Sequence, residues 1–272
     1  MARRVRIGAV RYLNSKPLVH RLDEFAPQAE IVYDVPSRLA DRLATGELDV
    51  GLIPSIEFFR GSGYTIVPGL AVVSDGPVDS VKLFCRKPLT DVRTLALDEG
   101  SRTSQALAQI LLSECYGVRP SIEPLGLDCD ETDTRADAVL LIGDRAMKAE
   151  TADFPFVVDL GHEWSRWTGL PFVYAFWAVR HGVDLGGVDR ALGRAKEAGC
   201  REVASIAADE APRLGLARDL CERYLRERIR FDLGRRELQG LERFYLLAAE
   251  SGLAPEGVPI AFYRRANLAK SL

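Results

Sequence analysis

Two short segments of the sequence place small hydroxyl and amide side chains where a predicted strand turns into a predicted helix. The first is GAVRYLNS at residues 8–15, and the second is LDEGSRTS at residues 97–104. Backbone N–H groups in the first turn of a helix have no partner within the helix, and the helix dipole favours negative charge there. The two segments therefore predict two anion-binding turns that hold a small acid between them.

Hydroxyl groups around the second turn are the candidate contacts to that acid. We expect Ser101, Thr103 and Ser104, together with the N–H groups of their turn, to hold a carboxylate. Ser55, which follows a buried predicted strand, is expected to face them from the other half of the molecule. Helix capping by Ser101 and Thr103 is the alternative interpretation of the same residue types.

The elements that must position these side chains follow the order of an α/β protein. Hydrophobic runs predict strands at 5–10, 31–35, 50–53, 93–97, 138–142 and 172–179. Helical patterns separate several of these strands, and from 188 to 252 the pattern is almost wholly that of amphipathic helices. Because short strands alternate with helices, we expect a parallel α/β architecture.

A ligand cleft between two lobes is the simplest arrangement of these elements. The first lobe is expected to be discontinuous, 1–90 plus 180–272, and the second is expected to be an insertion at 91–179. Hinge strands near 81–85 and 175–179 are expected to connect them. Ligands of open α/β sheets bind beyond the carboxyl ends of the strands. We expect four such ends to converge on the cleft, namely those at 14–15, 54–55, 101–104 and 143–144.

Composition and charge exclude several classes of protein. The chain has 272 residues, of which 47% are hydrophobic and 28% charged, with a formal net charge of −3. These values argue against disorder and against a nucleic-acid-binding protein, which is usually basic. No run reaches the ~18 apolar residues of a membrane span, and the start of the chain lacks a signal-peptide core, so we expect a cytoplasmic protein. Five scattered cysteines without a Cys-x-x-Cys pair predict neither a zinc site nor a disulfide framework.

Seven motifs, in order between residues 8 and 177, carry a family resemblance. They are GAVRYLNSKPL at 8–18, VPSRLA at 35–40, GELDVGLIPS at 46–55, SDGPVDSV at 74–81, SRTS at 101–104, LLIGD at 140–144 and WTGLPFVYAFW at 167–177. Together they closely resemble the MqnA family, the chorismate dehydratases of the futalosine route of menaquinone biosynthesis. The likeness is weaker in the helical C-terminal third.

The resemblance implies a periplasmic-binding-protein type II fold adapted from ligand capture to catalysis. It also implies removal of water from chorismate, a small dicarboxylate, to give 3-[(1-carboxyvinyl)oxy]benzoate, with no metal or organic cofactor. The sister family, the 1,4-dihydroxy-6-naphthoate synthases, uses a histidine base near the end of the strand that corresponds to 138–142. Residues 143–145 are Gly-Asp-Arg here, and the histidines are His20, His162 and His181. This departure favours the dehydratase over the sister enzyme.

Asn14, Ser80 and Asp144 are the catalytic candidates. The amide of Asn14 both donates and accepts hydrogen bonds, and we expect it to orient the C4 hydroxyl of chorismate or to polarise the group beside it. Ser80 is expected to contact the enolpyruvyl group or the leaving oxygen. The structural alternatives are a left-handed turn residue at Asn14 and an ordinary strand start at Ser80. The base is either Asp144 or the enolpyruvyl carboxylate of the substrate itself, and both stay open at this point.

Aromatic side chains of the predicted strand at 172–179 are expected to form a wall of the cleft. Alternation along a strand puts Phe172, Tyr174 and Phe176 on one face and Trp177 on the other, so only one set lines the cleft. Phe172 and Trp177 are the candidates for contact with the substrate.

Other functions share the predicted fold. A non-catalytic solute-binding protein for small carboxylates has the same two-lobed plan, but it is expected to carry a secretion signal. A ligand-sensing domain of a transcription factor is expected to follow a helix-turn-helix segment. The expected assembly is a monomer or a homodimer, with a small-molecule substrate and with no membrane or nucleic-acid partner.

Overall fold

The structure, a computed structural model, describes residues 4–264, which form two five-stranded sheets. In chain order the strands are β1 (Arg6–Val10), β2 (Glu30–Asp34), β3 (Val50–Pro54), β4 (Thr65–Ser74), β5 (Val81–Cys85), β6 (Thr94–Asp98), β7 (Ser121–Leu125), β8 (Ala138–Ile142), β9 (Phe156–Asp159) and β10 (Phe172–Val179). The first sheet has the order β2-β1-β3-β10-β4, and the second has the order β7-β6-β8-β5-β9. Parallel pairs around β1 and β6 are combined with antiparallel pairs around β10 and β5. The expected α/β class is confirmed, with mixed rather than parallel sheets.

Helices connect the strands and follow the last one. They are α1 (Lys16–Val19), α2 (Leu22–Phe25), α3 (Pro36–Ala44), α4 (Ser55–Arg60), α5 (Arg102–Tyr116), α6 (Gly143–Lys148), α7 (Leu160–Thr168), α8 (Val188–Arg201), α9 (Val203–Leu214), α10 (Arg218–Arg223) and α11 (Arg235–Glu250). Short 3-10 turns at Leu13–Ser15 and Leu89–Asp91 and a π-helical turn at Tyr224–Arg228 complete the elements. Within residues 4–264, no helix combines the length and the apolar character that crossing a membrane requires.

The chain passes from one sheet to the other twice. β4 is in the first sheet and β5 in the second, whereas β9 is in the second and β10 in the first. The boundaries expected from the sequence, 1–90 plus 180–272 against 91–179, would place β5 with the first sheet and β10 with the second. The difference arises because β5 pairs with β8 and β9, and β10 pairs with β3 and β4. We propose lobes that are bounded at the two crossings, residues 75–80 and 160–171.

The strand ends of the two sheets face each other. Every residue of β3, β8 and β10 is buried, as expected for apolar strands that are covered on both faces. Val10, Pro54 and Ile142, the last residues of β1, β3 and β8, line the same cavity. The edge of each sheet that carries these ends therefore forms one wall of the cleft.

Helix α8 packs closely on the segment that carries Asn14. Gly199 of α8 lies against Pro17 in α1, and a Cβ atom at Gly199 would be 2.2 Å from the Pro17 carbonyl oxygen. At Gly193, in the same helix, a Cβ atom would meet no heavy atom within 4 Å. The packing of α8 on α1 therefore requires a glycine at position 199, whereas position 193 can hold a larger residue.

Alanine substitutions should have opposite effects at these two glycines. Gly199→Ala is expected to lower the free energy of unfolding by about 1–3 kcal/mol, because backbone atoms of Pro17 must move. Gly193→Ala is expected to raise it by up to about 1 kcal/mol, since alanine is the better helix former. Urea unfolding followed by circular dichroism measures both changes. A shift of the same sign and size in the two variants would contradict the close approach of α8 to α1.

Candidate active site

A cavity of about 480 Å³, including its open mouth, lies where the strand ends of the two sheets meet. Its polar lining residues are Tyr12, Asn14, Ser15, Ser80, Ser101, Ser104 and Tyr174, and most of the others are aliphatic or proline. Among the described residues, no lining side chain is a carboxylate, amine, guanidinium or imidazole. The cavity is therefore suited to recognise a ligand by hydrogen bonds rather than by ion pairs.

Asn14 reaches the cavity from the 3-10 turn at Leu13–Ser15, just after β1. The Ser15 hydroxyl donates to the carbonyl oxygens of Val10 at 2.7 Å and Tyr12 at 2.8 Å, and these bonds close the turn. Asn14 does not have the left-handed backbone of the alternative interpretation. The turn therefore holds the Asn14 amide at the carboxyl end of β1.

Ser101 and Ser104 reach the cavity from the start of α5. Ser101 is the N-cap residue: its Oγ accepts the N–H of Ser104 at 3.4 Å and lies 3.1 Å from the Ser104 Oγ. The two roles considered for Ser101, helix capping and cavity lining, are thus combined in one residue. An anion in the cavity would lie at the positive end of the dipole of a 15-residue helix.

Ser55 and Thr103 lie outside the cavity lining, and both are fully buried. Thr103 Oγ1 accepts the N–H of Ile56 at 3.1 Å and lies 3.3 Å from the Ser55 Oγ. The Ser55 hydroxyl donates to the carbonyl oxygen of Val173 at 2.8 Å. The two hydroxyls therefore join the first turns of α4 and α5, which belong to different lobes. The structure does not bring them to the cavity with Ser101 and Ser104.

Ser80 lines the cavity from the crossing between β4 and β5. Its carbonyl oxygen accepts the N–H of Gly143 at 2.7 Å, and the preceding residue, Asp79, has a left-handed backbone with φ of 62°. The Asp159 carboxylate holds this segment by accepting the N–H groups of Val78 at 3.0 Å and Asp79 at 2.6 Å. A left-handed backbone at a non-glycine residue is strained and persists where its surroundings fix it. Ser80 is therefore held firmly in the cavity wall.

Asp144 lies in the first turn of α6, beside the cavity but outside its lining. Its Oδ1 accepts the N–H of Leu13 at 3.1 Å, which links the second lobe to the turn that carries Asn14. Burial raises the pKa of Asp144 above its usual range, against the opposing effects of the Leu13 N–H, Lys148 and Lys16. The observed role of this carboxylate is thus to hold the Asn14 turn.

The two aromatic candidates also lie outside the lining. Phe172 and Trp177 are fully buried. The Phe172 ring packs edge-on against Trp164, with ring centroids 5.2 Å apart, and against Phe244, with centroids 5.0 Å apart. Phe172 is therefore part of the core between β10 and the C-terminal helices, where the structure does not bring it to a ligand.

Tyr174 is the aromatic residue of β10 that lines the cavity. The pairing of β10 with β4 shifts register between Val173 and Ala175, which leaves Tyr174 as the extra residue of a β-bulge. Both Tyr174 and Ala175 line the cavity, which a regular alternation of faces would forbid. The Tyr174 hydroxyl lies 3.2 Å from the Ser74 Oγ. The bulge is the physical reason why two successive residues of β10, Tyr174 and Ala175, both reach the cavity.

Tyr12 also lines the cavity, and the sequence analysis gave it no role. A Cβ atom at Gly143, which has φ of 62°, would be 3.1 Å from the Tyr12 ring, and one at Gly100 would be 2.9 Å from the Tyr12 hydroxyl. Tyr12 therefore spans from the first lobe to both turns of the second. Burial, and after it the Asp98 carboxylate, raises the pKa of Tyr12. The available signal in the sequence was its place in the motif at 8–18.

Asp98 fixes the turns of the second lobe from behind the cavity. Its fully buried carboxylate accepts the N–H groups of Gly100 at 2.8 Å and Ile142 at 3.1 Å, and it pairs with Arg145. Burial raises the pKa of Asp98, and the Arg145 guanidinium opposes that shift. Charged groups thus organise the backbone around the cavity while staying out of its lining.

The fold and the cavity define a class, the two-lobed α/β proteins of the periplasmic-binding-protein type II fold. A protein from Archaeoglobus fulgidus matches this chain with a TM-score of 0.69 at 18% identity, over 92% of this chain and 98% of that one. The alkanesulfonate-binding protein SsuA from Xanthomonas axonopodis pv. citri, bound to MOPS, matches with a TM-score of 0.66 at 20% identity, over 93% and 94% of the two chains. At these identities the likeness shows the fold alone, and it confirms the expected fold.

Sequence comparison gives the particular family. A family model described as menaquinone biosynthesis matches residues 5–250, and the chain belongs to this family. A chorismate dehydratase from Thermus thermophilus is 34% identical over 260 residues, which cover 88% of this chain and 93% of the relative. The resemblance inferred from the seven motifs is confirmed.

Removing the Thr103 hydroxyl while keeping the shape of the side chain should destabilise the protein. Thr103→Val leaves the buried N–H of Ile56 without its acceptor, and we expect the free energy of unfolding to fall by about 1–3 kcal/mol. Thr103→Ser keeps the oxygen and should restore most of the loss. Ser104→Ala is the matched control, because that hydroxyl faces the cavity, and its effect should be clearly smaller. If urea unfolding shows the larger loss at Ser104, Thr103 does not join the lobes as described.

Proposed function

We propose that this protein is a chorismate dehydratase, a carbon–oxygen hydro-lyase of menaquinone biosynthesis that converts chorismate into 3-[(1-carboxyvinyl)oxy]benzoate and water. The 34% identity with the Thermus thermophilus chorismate dehydratase supports the proposal. The structural observation that carries it is the lining of the cavity, which combines hydroxyl and amide groups from both lobes. Such a lining suits a reaction in which the charged groups are the carboxylates of the substrate.

The elimination needs few acidic or basic side chains from the protein. The C3–H bond of chorismate is acidic, because its electron pair can move through the C1=C2 bond into the ring carboxylate. Once a base has taken the C3 proton, this electron pair forms the C3=C4 bond while the C4–O bond breaks. The departing hydroxyl takes up a proton and leaves as water. The ring becomes aromatic, and aromatisation drives the step.

Negative charge that builds up on the ring carboxylate needs well-placed hydrogen-bond donors. Ser101, Ser104 and the N–H groups at the start of α5 provide such donors at the positive end of a helix dipole. We assign the ring carboxylate to this end of the cavity. Donors that are aimed at developing charge stabilise the transition state more than the ground state, which is what raises the rate.

The leaving hydroxyl is assigned to Asn14 and Ser80. Both line the cavity, Asn14 from the first lobe and Ser80 from the crossing into the second. An amide offers both an acceptor and donors, and a hydroxyl offers a single proton. Together they supply an acceptor for the C4 hydroxyl before the reaction and a donor for its oxygen as the C4–O bond breaks.

We assign the role of base to the enolpyruvyl carboxylate of chorismate itself. Asp144, the alternative base, lies outside the lining, and its carboxylate accepts the Leu13 N–H. The enolpyruvyl carboxylate is attached through the ether oxygen at C3, next to the proton that must leave. It can pass the same proton to the departing hydroxyl, so that it is regenerated and one water is lost.

Two other functions would give different results in the assay described below. A solute-binding protein for small carboxylates would bind chorismate and leave it unchanged. The sister 1,4-dihydroxy-6-naphthoate synthase needs a histidine base, and His20, His162 and His181 all lie outside the cavity lining. The cytoplasmic location and the monomeric or homodimeric state stay predictions of the sequence.

Incubation with chorismate tests the proposal directly. The purified protein should convert chorismate into an aromatic dicarboxylate that has lost one water, as measured by chromatography and mass spectrometry. Asn14→Ala and Ser80→Ala should each lower kcat by about 100-fold or more. Ser113→Ala, at a position on α5 outside the lining, should leave it unchanged. Chorismate that survives the incubation but raises the melting temperature would indicate a binding protein instead.

Asp144→Asn distinguishes the two candidate bases. The asparagine keeps an oxygen that can accept the Leu13 N–H, so the Asn14 turn should stay in place. If the substrate supplies the base, kcat should stay within about tenfold of the parent value. A fall of about 100-fold or more is the size expected for a lost general base, and it would assign the base to Asp144.

Asp144→Asn should be more stable than the parent protein by an amount that depends on pH. Because burial raises the pKa of Asp144 in the folded protein, folding favours its protonated form. The parent protein therefore loses stability as the pH rises from about 3.9, the ordinary Asp pKa, through the raised pKa of the folded state. Asparagine carries no charge, so the stability of Asp144→Asn relative to the parent should grow with pH across this interval. Urea unfolding at several pH values measures it, and a pH-independent difference would contradict the buried carboxylate.

A further inference from the structure

A buried phenol contacts Ser80, one of the two side chains assigned to the leaving hydroxyl. Tyr224 is 2% exposed and lies outside the cavity lining. Its hydroxyl donates to the Ser80 Oγ at 2.7 Å. Burial raises the pKa of Tyr224, and the side chains of Ser80 and Asn14 oppose that shift. One side chain from the C-terminal helical region therefore contacts, from behind, a hydroxyl group that lines the cavity.

The direction of this hydrogen bond decides what Ser80 can offer to a ligand. A phenol has a single proton, and Tyr224 gives it to Ser80. The Ser80 oxygen accepts from Tyr224, so the Ser80 proton is left to donate. The Ser80 hydroxyl thus presents a donor to a ligand in the cavity.

The turn that carries Tyr224 holds the Ser80 segment at a second point. The π-helical turn at Tyr224–Arg228 directly follows α10, and π-turns are frequent at functional sites. The Arg228 Nε donates to the Asp79 Oδ2 at 2.7 Å. Asp79 is the left-handed residue that precedes Ser80. The two ends of the turn therefore contact two consecutive residues of the crossing between the lobes.

We propose that Tyr224 is a positioning residue of the dehydration, and that it acts by fixing the direction in which the Ser80 hydroxyl donates. The inference rests on the proposed function. A Ser80 hydroxyl without this partner would rotate among several directions, and the leaving oxygen would lose an aligned donor at the moment when the C4–O bond breaks. Tyr224 itself has no contact with the cavity, so its effect on the rate passes through Ser80.

A positioning role differs from a proton-transfer role in its dependence on pH. Burial raises the pKa of Tyr224 far above its usual range, so the phenol keeps its proton throughout the pH range of an enzyme assay. The pH profile of kcat should therefore keep its shape when Tyr224 is replaced by phenylalanine, and only its height should change.

Tyr224→Phe removes the phenol oxygen and keeps the ring. We expect kcat to fall about ten- to hundredfold, while KM for chorismate changes less than about threefold. Tyr245→Phe is the control, since the Tyr245 side chain is also largely buried and its hydroxyl makes two hydrogen bonds, to Pro255 and Val258, away from the cavity. The control should keep the parent kcat. Circular dichroism and urea unfolding show whether the two variants are equally folded.

The same substitution in the Ser80→Ala background shows whether the effect passes through Ser80. Tyr224→Phe should lower kcat much less there than in the parent, because no hydroxyl is left to direct. An equal loss in both backgrounds, a parent-like kcat in folded Tyr224→Phe, or a changed shape of the pH profile would overturn the inference while leaving the proposed function intact. If the parent and the Tyr245→Phe control are both inactive on chorismate, the proposed function fails and the inference fails with it.

Discussion

The geometry of the site depends on the hydrogen bond between the first turns of α4 and α5. An N–H group at the start of a helix lacks a partner in that helix, and here the Ile56 N–H of the first lobe is satisfied by the Thr103 hydroxyl of the second. Because Thr103 faces this join, Ser101 and Ser104 on the same turn face the cavity. Leaving such a buried donor without an acceptor is costly, so the join sets the distance between the lobes and the position of the anion-binding turn.

Charged side chains lie beside the cavity rather than in its lining, and the cost of burying polar groups explains this too. Asp98 and Asp144 accept backbone N–H groups beside the cavity and thereby fix the turns whose hydroxyl and amide groups line it. A charged side chain inside so enclosed a space would need a counter-charge, because burying an unpaired charge is very unfavourable. A substrate that carries two carboxylates meets donors that are already oriented. In the proposed mechanism, its own carboxylate then serves as the base.

The sequence allows prediction of those parts of the site that depend on local rules. Strand–turn–helix patterns and the convergence of strand ends place Asn14, Ser101 and Ser104 at one cleft. Long-range features escape such rules: the bulge that turns Tyr174 into the cavity depends on the register of β10 against β4, and no local pattern pairs Ser80 with Tyr224, 144 residues later. The sequence analysis missed three strands, β4, β7 and β9. Of these, β4 and β7 contain prolines typical of turns, which strands at the edge of a sheet tolerate.

The measurement that bears most directly on this mechanism is turnover of a chorismate analogue whose enolpyruvyl carboxylate is replaced by a carboxamide. The carboxamide has nearly the same shape and keeps the ring carboxylate and the C4 hydroxyl, but it is not a base. We predict that it competes with chorismate for the cavity and is not dehydrated under conditions in which chorismate is. Dehydration of the carboxamide at a rate close to that of chorismate would contradict substrate-supplied base catalysis and would return that role to a side chain of the protein.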